Sequence, residues 1–174
     1  MRGIRRSQQG ITIIEFTLIA FGLFVLMFFA FEIGRYMFSM QMLNEMTRKA
    51  ARLAVVCSIS DQQDIVTLPE VLENRPIGFT DEHLKVSYVD SDGVEVPTNG
   101  YSSMSVAEKR AVFSRVRYVR TEVVDFRFQF FPLLSFIGDG GAVSVPEFVT
   151  ILPVESLGVV RPNTGETAGV IEDC

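Results

Sequence analysis

The chain has no tryptophan, a single histidine (His83), two cysteines (Cys57 and Cys174) and no proline before Pro69. One imidazole and two thiols leave no material for a zinc cluster or a disulfide-dense scaffold. The missing prolines leave the first 68 residues free to run as one uninterrupted helix. Charge is scarce in the same region: between Arg6 and Arg35 the ionisable side chains are Glu15 and Glu32.

Over 174 residues the net charge is −5, which divides into +3 for residues 1–10 (Arg2, Arg5, Arg6) and −8 for the remainder. An acidic body of this kind excludes nucleic acid as the main partner, because phosphate recognition needs clustered Lys and Arg. The length suits one modest domain. The 48% of hydrophobic residues is concentrated towards the N-terminus.

Residues Ile11 to Phe31 form an apolar run of 21 residues, and at about 1.5 Å per helical residue this spans roughly the 30 Å hydrocarbon core of a bilayer. The run exceeds the apolar part of a cleaved secretory signal, and Glu32-Ile33-Gly34-Arg35 follows it in place of a small-residue cleavage site. A membrane anchor is the expectation, and the N-terminal arginines place that end in the cytoplasm. Glu15 is anomalous in such a segment, since an ionisable group at mid-bilayer costs about 2.5 to 3.5 kcal/mol.

The sequence Gly10-Ile11-Thr12-Ile13-Ile14-Glu15-Phe16 resembles the processing site of type IV pilins and pseudopilins. The resemblance implies that a prepilin peptidase cuts between Gly10 and Ile11, discarding residues 1–10. It also implies that Glu15, then the fifth residue, pairs with the freed amine of a neighbouring subunit during assembly. Opposite charges desolvated together attract strongly in a low dielectric.

Beyond the apolar run, Tyr36, Met40, Leu43, Met46, Ala50 and Leu53 recur at helical spacing, and Met37, Met40, Met42 and Met46 supply adaptable packing surface. The spacing predicts one helix over residues 11–56. Within it, Glu32, Gly34 and Arg35 (E-x-G-R), followed by Asn44, Arg48, Ala51 and Arg52 (N-x-x-x-R-x-x-A-R), resemble the pattern of the TadE/TadF pseudopilins of the tight-adherence (Tad, or Flp) pilus. The resemblance covers about Gln9 to Ala54. Ile-Thr-Ile-Ile stands before Glu15 where Ala and Val are frequent in TadE, so TadE and TadF both stay open.

From Cys57 onward there are 18 acidic and 9 basic residues and all seven prolines. Residues 61–80 read as a short helix between loops. Leu84, Val86 and Tyr88 alternate with polar residues, and Asp90-Ser91-Asp92-Gly93 before Val94-Glu95-Val96 reads as a β-hairpin. The Asp-x-Asp-Gly fragment lacks the remaining ligands of a calcium loop. Alternation of Val124, Phe126, Phe128 and Phe130 predicts a strand over 115–131 ended by Pro132, then a Gly138–Gly141 turn and a last strand over 142–152. Past Pro153 the chain reads as loop. Cys57 and Cys174 allow one disulfide, which an oxidising compartment would permit.

The candidates for catalysis are few. His83 stands at the expected start of a strand, and Ser102, Ser103 and Ser105 lie in an expected loop without a second histidine. The reading is therefore not an enzyme, with no cofactor and no metal.

Together these features predict an α+β fold, with a long N-terminal helix whose first half spans the membrane and whose second half packs on a small antiparallel sheet of three or four strands. The resemblance makes the fold pilin-like. The expected division is a 1–10 leader, an 11–56 helix and a 57–174 periplasmic domain, in a single-pass protein of the bacterial inner membrane. The resemblance further implies as partners a prepilin peptidase, other pseudopilins and the major Flp pilin through the helix, and an inner-membrane assembly platform. An uncleaved signal-anchored periplasmic binding or scaffold protein of a type II-like system is the alternative.

Overall fold

A run of good helix formers without proline becomes one helix, α1, over Gln9–Val56. The computed structural model describes residues 9–159, with side chains from residue 12 onward. The chain divides into two compact units at Phe38/Ser39, so the helix from Ser39 onward belongs to the second unit.

In that unit Leu43, Met46, Ala50 and Ala54 are buried, and Met40 and Leu53 pack against them. This is the expected stripe, widened by the buried polar residues Ser39 and Thr47. The methionines are divided: Met46 lies in the core, whereas Met37, in the first unit, is exposed.

Short helices follow at Gln62–Ile65 (α2) and Pro69–Leu72 (α3), each placing one apolar residue, Ile65 or Val71, in the core. Strand β1 (Leu84–Val89) leads to helix α4 (Val106–Arg115) and strand β2 (Tyr118–Val123). Strands β3 (Arg127–Gln129), β4 (Ala142–Ser144) and β5 (Val149–Pro153) complete the described fold. An antiparallel three-stranded sheet has the order β1-β2-β5, and β3 pairs with β4 in a separate two-stranded sheet. The α+β architecture is as expected.

The expected strand over 115–131 is instead two strands in two sheets, preceded by the end of a helix. Val119, Thr121 and Val123 face the core at odd positions, whereas Phe126 and Phe128 are buried at even ones. The phase changes at Asp125, whose φ of 54° lies in the left-handed region. A one-residue slip turns every following side chain to the other face. The expected strand over 142–152 is likewise divided, and Pro146 lies in the break between β4 and β5.

The expected hairpin is present as a turn with little strand beyond it. Asp90 Oδ1 accepts from the backbone N–H groups of Asp92 and Val94, both at 3.0 Å, and Gly93 takes the positive φ of 78°. Pairing beyond the turn is a single bridge, Val89 to Glu95, with Val96 N–H donating to Tyr88 O at 2.8 Å. Gln62 Nε2 donates to Val86 O at 2.6 Å, so a side chain covers part of the edge of β1.

Past Pro153 the chain closes the helix. Leu157 N–H donates to Val55 O at 3.2 Å and Gly158 N–H to Val56 O at 2.6 Å, satisfying carbonyls that a helix end leaves unpaired. Gly158 has φ 79°, and a Cβ there would stand 2.9 Å from the Cα of Ser58, so only glycine fits this crossing.

Candidate functional site

The first unit is a helix whose apolar run, Phe16, Leu18, Phe21 and Phe31 among it, is exposed. Its most apolar window has a mean hydropathy of 2.4 and none of it is buried. Among the described residues this helix alone is long and apolar enough to cross a membrane. Gly10 and Ile11 lie in its first turn, and their side chains are outside those described. Glu15 follows one turn after Ile11 and is exposed among Ile14, Phe16 and Leu18, which are exposed too.

At the far end of the apolar run, Glu32 and Arg35 form a two-pronged ion pair one turn apart. Arg35 Nη2 lies 2.8 Å from Glu32 Oε2 and Nε 3.2 Å from Oε1. Pairing within the helix compensates both charges where the apolar segment ends. Gly34 between them faces open space, with no atom within 4 Å of a Cβ built there, so packing within the chain does not require glycine at this position.

Asn44, Arg48 and Arg52 recur every fourth residue and are all exposed. They form one stripe on the side of α1 opposite Leu43, Met46, Thr47 and Ala50. Ala51 differs from these motif residues in being fully buried. The structure thus brings Glu32 and Arg35 together, aligns Asn44, Arg48 and Arg52 away from the sheet, and leaves Glu15 apart from both groups.

Cys57 is fully buried directly after α1 and is not a free thiol. The expected pairing with Cys174 involves a residue outside those described.

Of the side chains considered for catalysis, His83, Ser103 and Ser105 have local structural partners. His83 ends a 3₁₀ turn immediately before β1; its Nδ1 accepts from Thr80 N–H at 3.1 Å, and its ring lies against Phe79 and Phe126. Ser103 Oγ donates to Gly100 O at 2.9 Å, and at Ser102 it is the backbone carbonyl that accepts from Lys109 Nζ, at 2.9 Å. Ser105 caps α4 in a capping box with Glu108, whose Oε2 accepts from Ser105 N–H at 2.8 Å. The Ser-x-x-Glu spacing is a helix-start signal, so the expected loop there is corrected to a cap and a helix.

These bonds lower the pKa of Glu108: the Ser105 hydroxyl contributes most, then the Ser105 backbone N–H. Tyr88 is shifted the other way. Burial, followed by the charge of Asp61 and then Tyr101, raises its phenol well above the ordinary range.

Compared with known proteins, residues 10–52 match the family model described as TadE-like protein. The match contains Gly10, Glu15, the Glu32–Arg35 pair and the exposed Asn44, Arg48, Arg52 stripe. No curated protein and no solved structure matches the chain.

Proposed function

We propose that the chain, whose residues 10–52 match the TadE-like family model, is a membrane-anchored minor pilin or pseudopilin of a Tad (Flp) pilus. In this reading a prepilin peptidase cuts between Gly10 and Ile11, and the protein takes part in starting or assembling the fibre. The observation that carries the reading is Glu15, an exposed carboxylate within an exposed apolar run, five residues after Gly10. A carboxylate held in hydrocarbon needs a partner, and the amine freed at Ile11 of an adjacent subunit is a cation produced by the same cut. The helix would pack with those of other pseudopilins and of the major pilin in the inner membrane, where the assembly platform acts, with the second unit in the periplasm.

The test is coexpression of the full chain with a prepilin peptidase from a Tad system, with the N-terminus read by mass spectrometry. The expected product begins at Ile11. Gly10→Ala should slow cutting, whereas Glu15→Ala should leave cutting intact and lower pilus output. A chain that keeps residues 1–10 in the presence of active peptidase overturns the reading in favour of an uncleaved signal-anchored protein.

A further inference from the structure

The two edges of the three-stranded sheet differ. In β1 the outward carbonyls are occupied: Val86 O accepts from Gln62 Nε2, and Tyr88 O accepts from the Val96 N–H. The opposite edge is β5, which pairs with β2 alone. The bonds at its two ends fix which of its backbone groups are taken. Val123 N–H donates to Phe148 O and Val154 N–H to Arg117 O, and hydrogen-bonded pairs alternate along an antiparallel ladder. Phe148, Thr150, Leu152 and Val154 therefore turn their backbone groups towards β2, whereas Val149, Ile151 and Pro153 turn theirs away from it. Among the described residues nothing bonds to the backbone N–H or carbonyl of Val149 and Ile151, or to the carbonyl of Pro153.

The side chains on this edge suit pairing too. Val149 is 38% exposed and Ile151 55%, and both are β-branched residues that favour extended backbone. From Phe148 to Val154 there is no ionisable group. An open, uncharged edge is a template for another strand unless lysine, an internal proline or a bulge blunts it, and the one proline here stands at the strand's end. Glu147 and Glu155 flank the stretch, and both are exposed.

Those carboxylates choose the occupant. Two copies paired antiparallel about Ile151 would set Glu147 of each against Glu155 of the other, and like charges directly opposite are destabilising. They would also aim each Val149 carbonyl at Pro153, which has no N–H to give. A strand of different sequence, with a cation at each end, meets both carboxylates and all the free backbone groups. We propose that the free edge of β5 is a docking site for an extended segment of another protein, which pairs antiparallel with Val149–Pro153 and sets a basic residue against each of Glu147 and Glu155. Backbone hydrogen bonds supply the affinity and the flanking charges the selectivity, as where a peptide adds a strand to an exposed sheet edge. The inference concerns the second unit alone and stands independently of the pilus reading.

The probe is a capped nine-residue peptide with lysine at both ends and threonine alternating with valine between them, threonine next to each lysine. Its binding to the isotope-labelled full chain in detergent micelles is followed by NMR and amide exchange. The proposal expects saturable binding that slows exchange at Val149 and Ile151. Methylating the backbone nitrogens of the three valines, which face β5 in the proposed register, should abolish binding, and methylating those of the threonines, which face away, should preserve it. Exchanging the lysines for glutamates turns two attractive pairs repulsive and should weaken binding about tenfold or more. Ile151→Pro removes the central edge donor while Thr150 and Leu152 keep their bonds to β2, and it should abolish binding with the circular dichroism unchanged; the methylated peptides test the same bonds on the unaltered chain. No binding at millimolar peptide, equal binding of the two methylated peptides, or equal binding of the lysine and glutamate peptides overturns the proposal. Protection of Val149 and Ile151 that rises with protein concentration in peptide-free samples also overturns it, in favour of pairing between copies of the chain.

Discussion

Thr121 Oγ1 donates to the backbone carbonyl of Thr47 at 2.8 Å, across the seam where the central strand meets the helix. Both residues are almost wholly buried, and Thr150 Oγ1 adds a bond to Thr47 Oγ1 at 3.2 Å. Three threonines thus form a polar joint inside an otherwise apolar interface. Thr121→Val keeps the shape and removes the donor, and it should destabilise the domain by about 1 kcal/mol. Denaturant unfolding of the full chain in detergent, followed by circular dichroism, measures this. An unchanged midpoint would show that the joint contributes nothing net.

The helix was legible because its signals were redundant: a long apolar run, no proline, and Leu43, Met46 and Ala50 at helical spacing. Thr47 and Ser39 were not, since a polar side chain on a buried face has no signature in hydropathy. The strands were partly legible. Alternation correctly marked Phe126 and Phe128 as inward-facing. It hid the change of phase because Val123 and Val124 are adjacent and either continues a pattern, so the two strands read as one. Ser105 was legible in principle through its Glu three residues on, a local signal that a search for nucleophiles passes over. The site motifs were legible as residues, whereas their separation into a paired Glu32–Arg35 and an outward Asn44, Arg48, Arg52 stripe needed coordinates.

Asp125 holds the break between the two sheets with a left-handed backbone. Its side chain is exposed, so substitutions there report backbone conformation with little change in packing. Asp125→Gly should be neutral or stabilising by a few tenths of a kcal/mol, and Asp125→Val should cost about 1 to 2 kcal/mol. Thermal unfolding of the two variants side by side measures the difference. If Val and Gly are equivalent, the conformation at this position does not set the break.

Ser105→Ala should remove the cap of α4 and cost about 1 kcal/mol, with the loss confined to amide protection in α4. Hydrogen exchange read residue by residue tests this. The partner Glu108 has its pKa lowered in the folded state, so its contribution is present above the ordinary glutamate pKa and is lost as pH falls through the lower folded value. Glu108→Gln should therefore abolish the acid-side weakening of α4. A Glu108 carboxyl that titrates in its ordinary range by NMR would contradict the capping box.

Tyr88 governs the opposite end of the pH scale. Its phenol is buried, and burial raises its pKa above the unfolded value. A raised folded pKa means that stability is complete below the unfolded tyrosine value of about 10 and declines as pH rises beyond it. The domain should therefore unfold in alkali with Tyr88 ionising in the same transition. Tyr88→Phe removes the titrating group and should move the alkaline midpoint upward, with a change of less than about 1 kcal/mol at neutral pH. Phenolate absorbance and circular dichroism recorded in one titration check the coupling. If all phenolate absorbance develops before any loss of structure, Tyr88 ionises in the folded domain and burial does not restrain it.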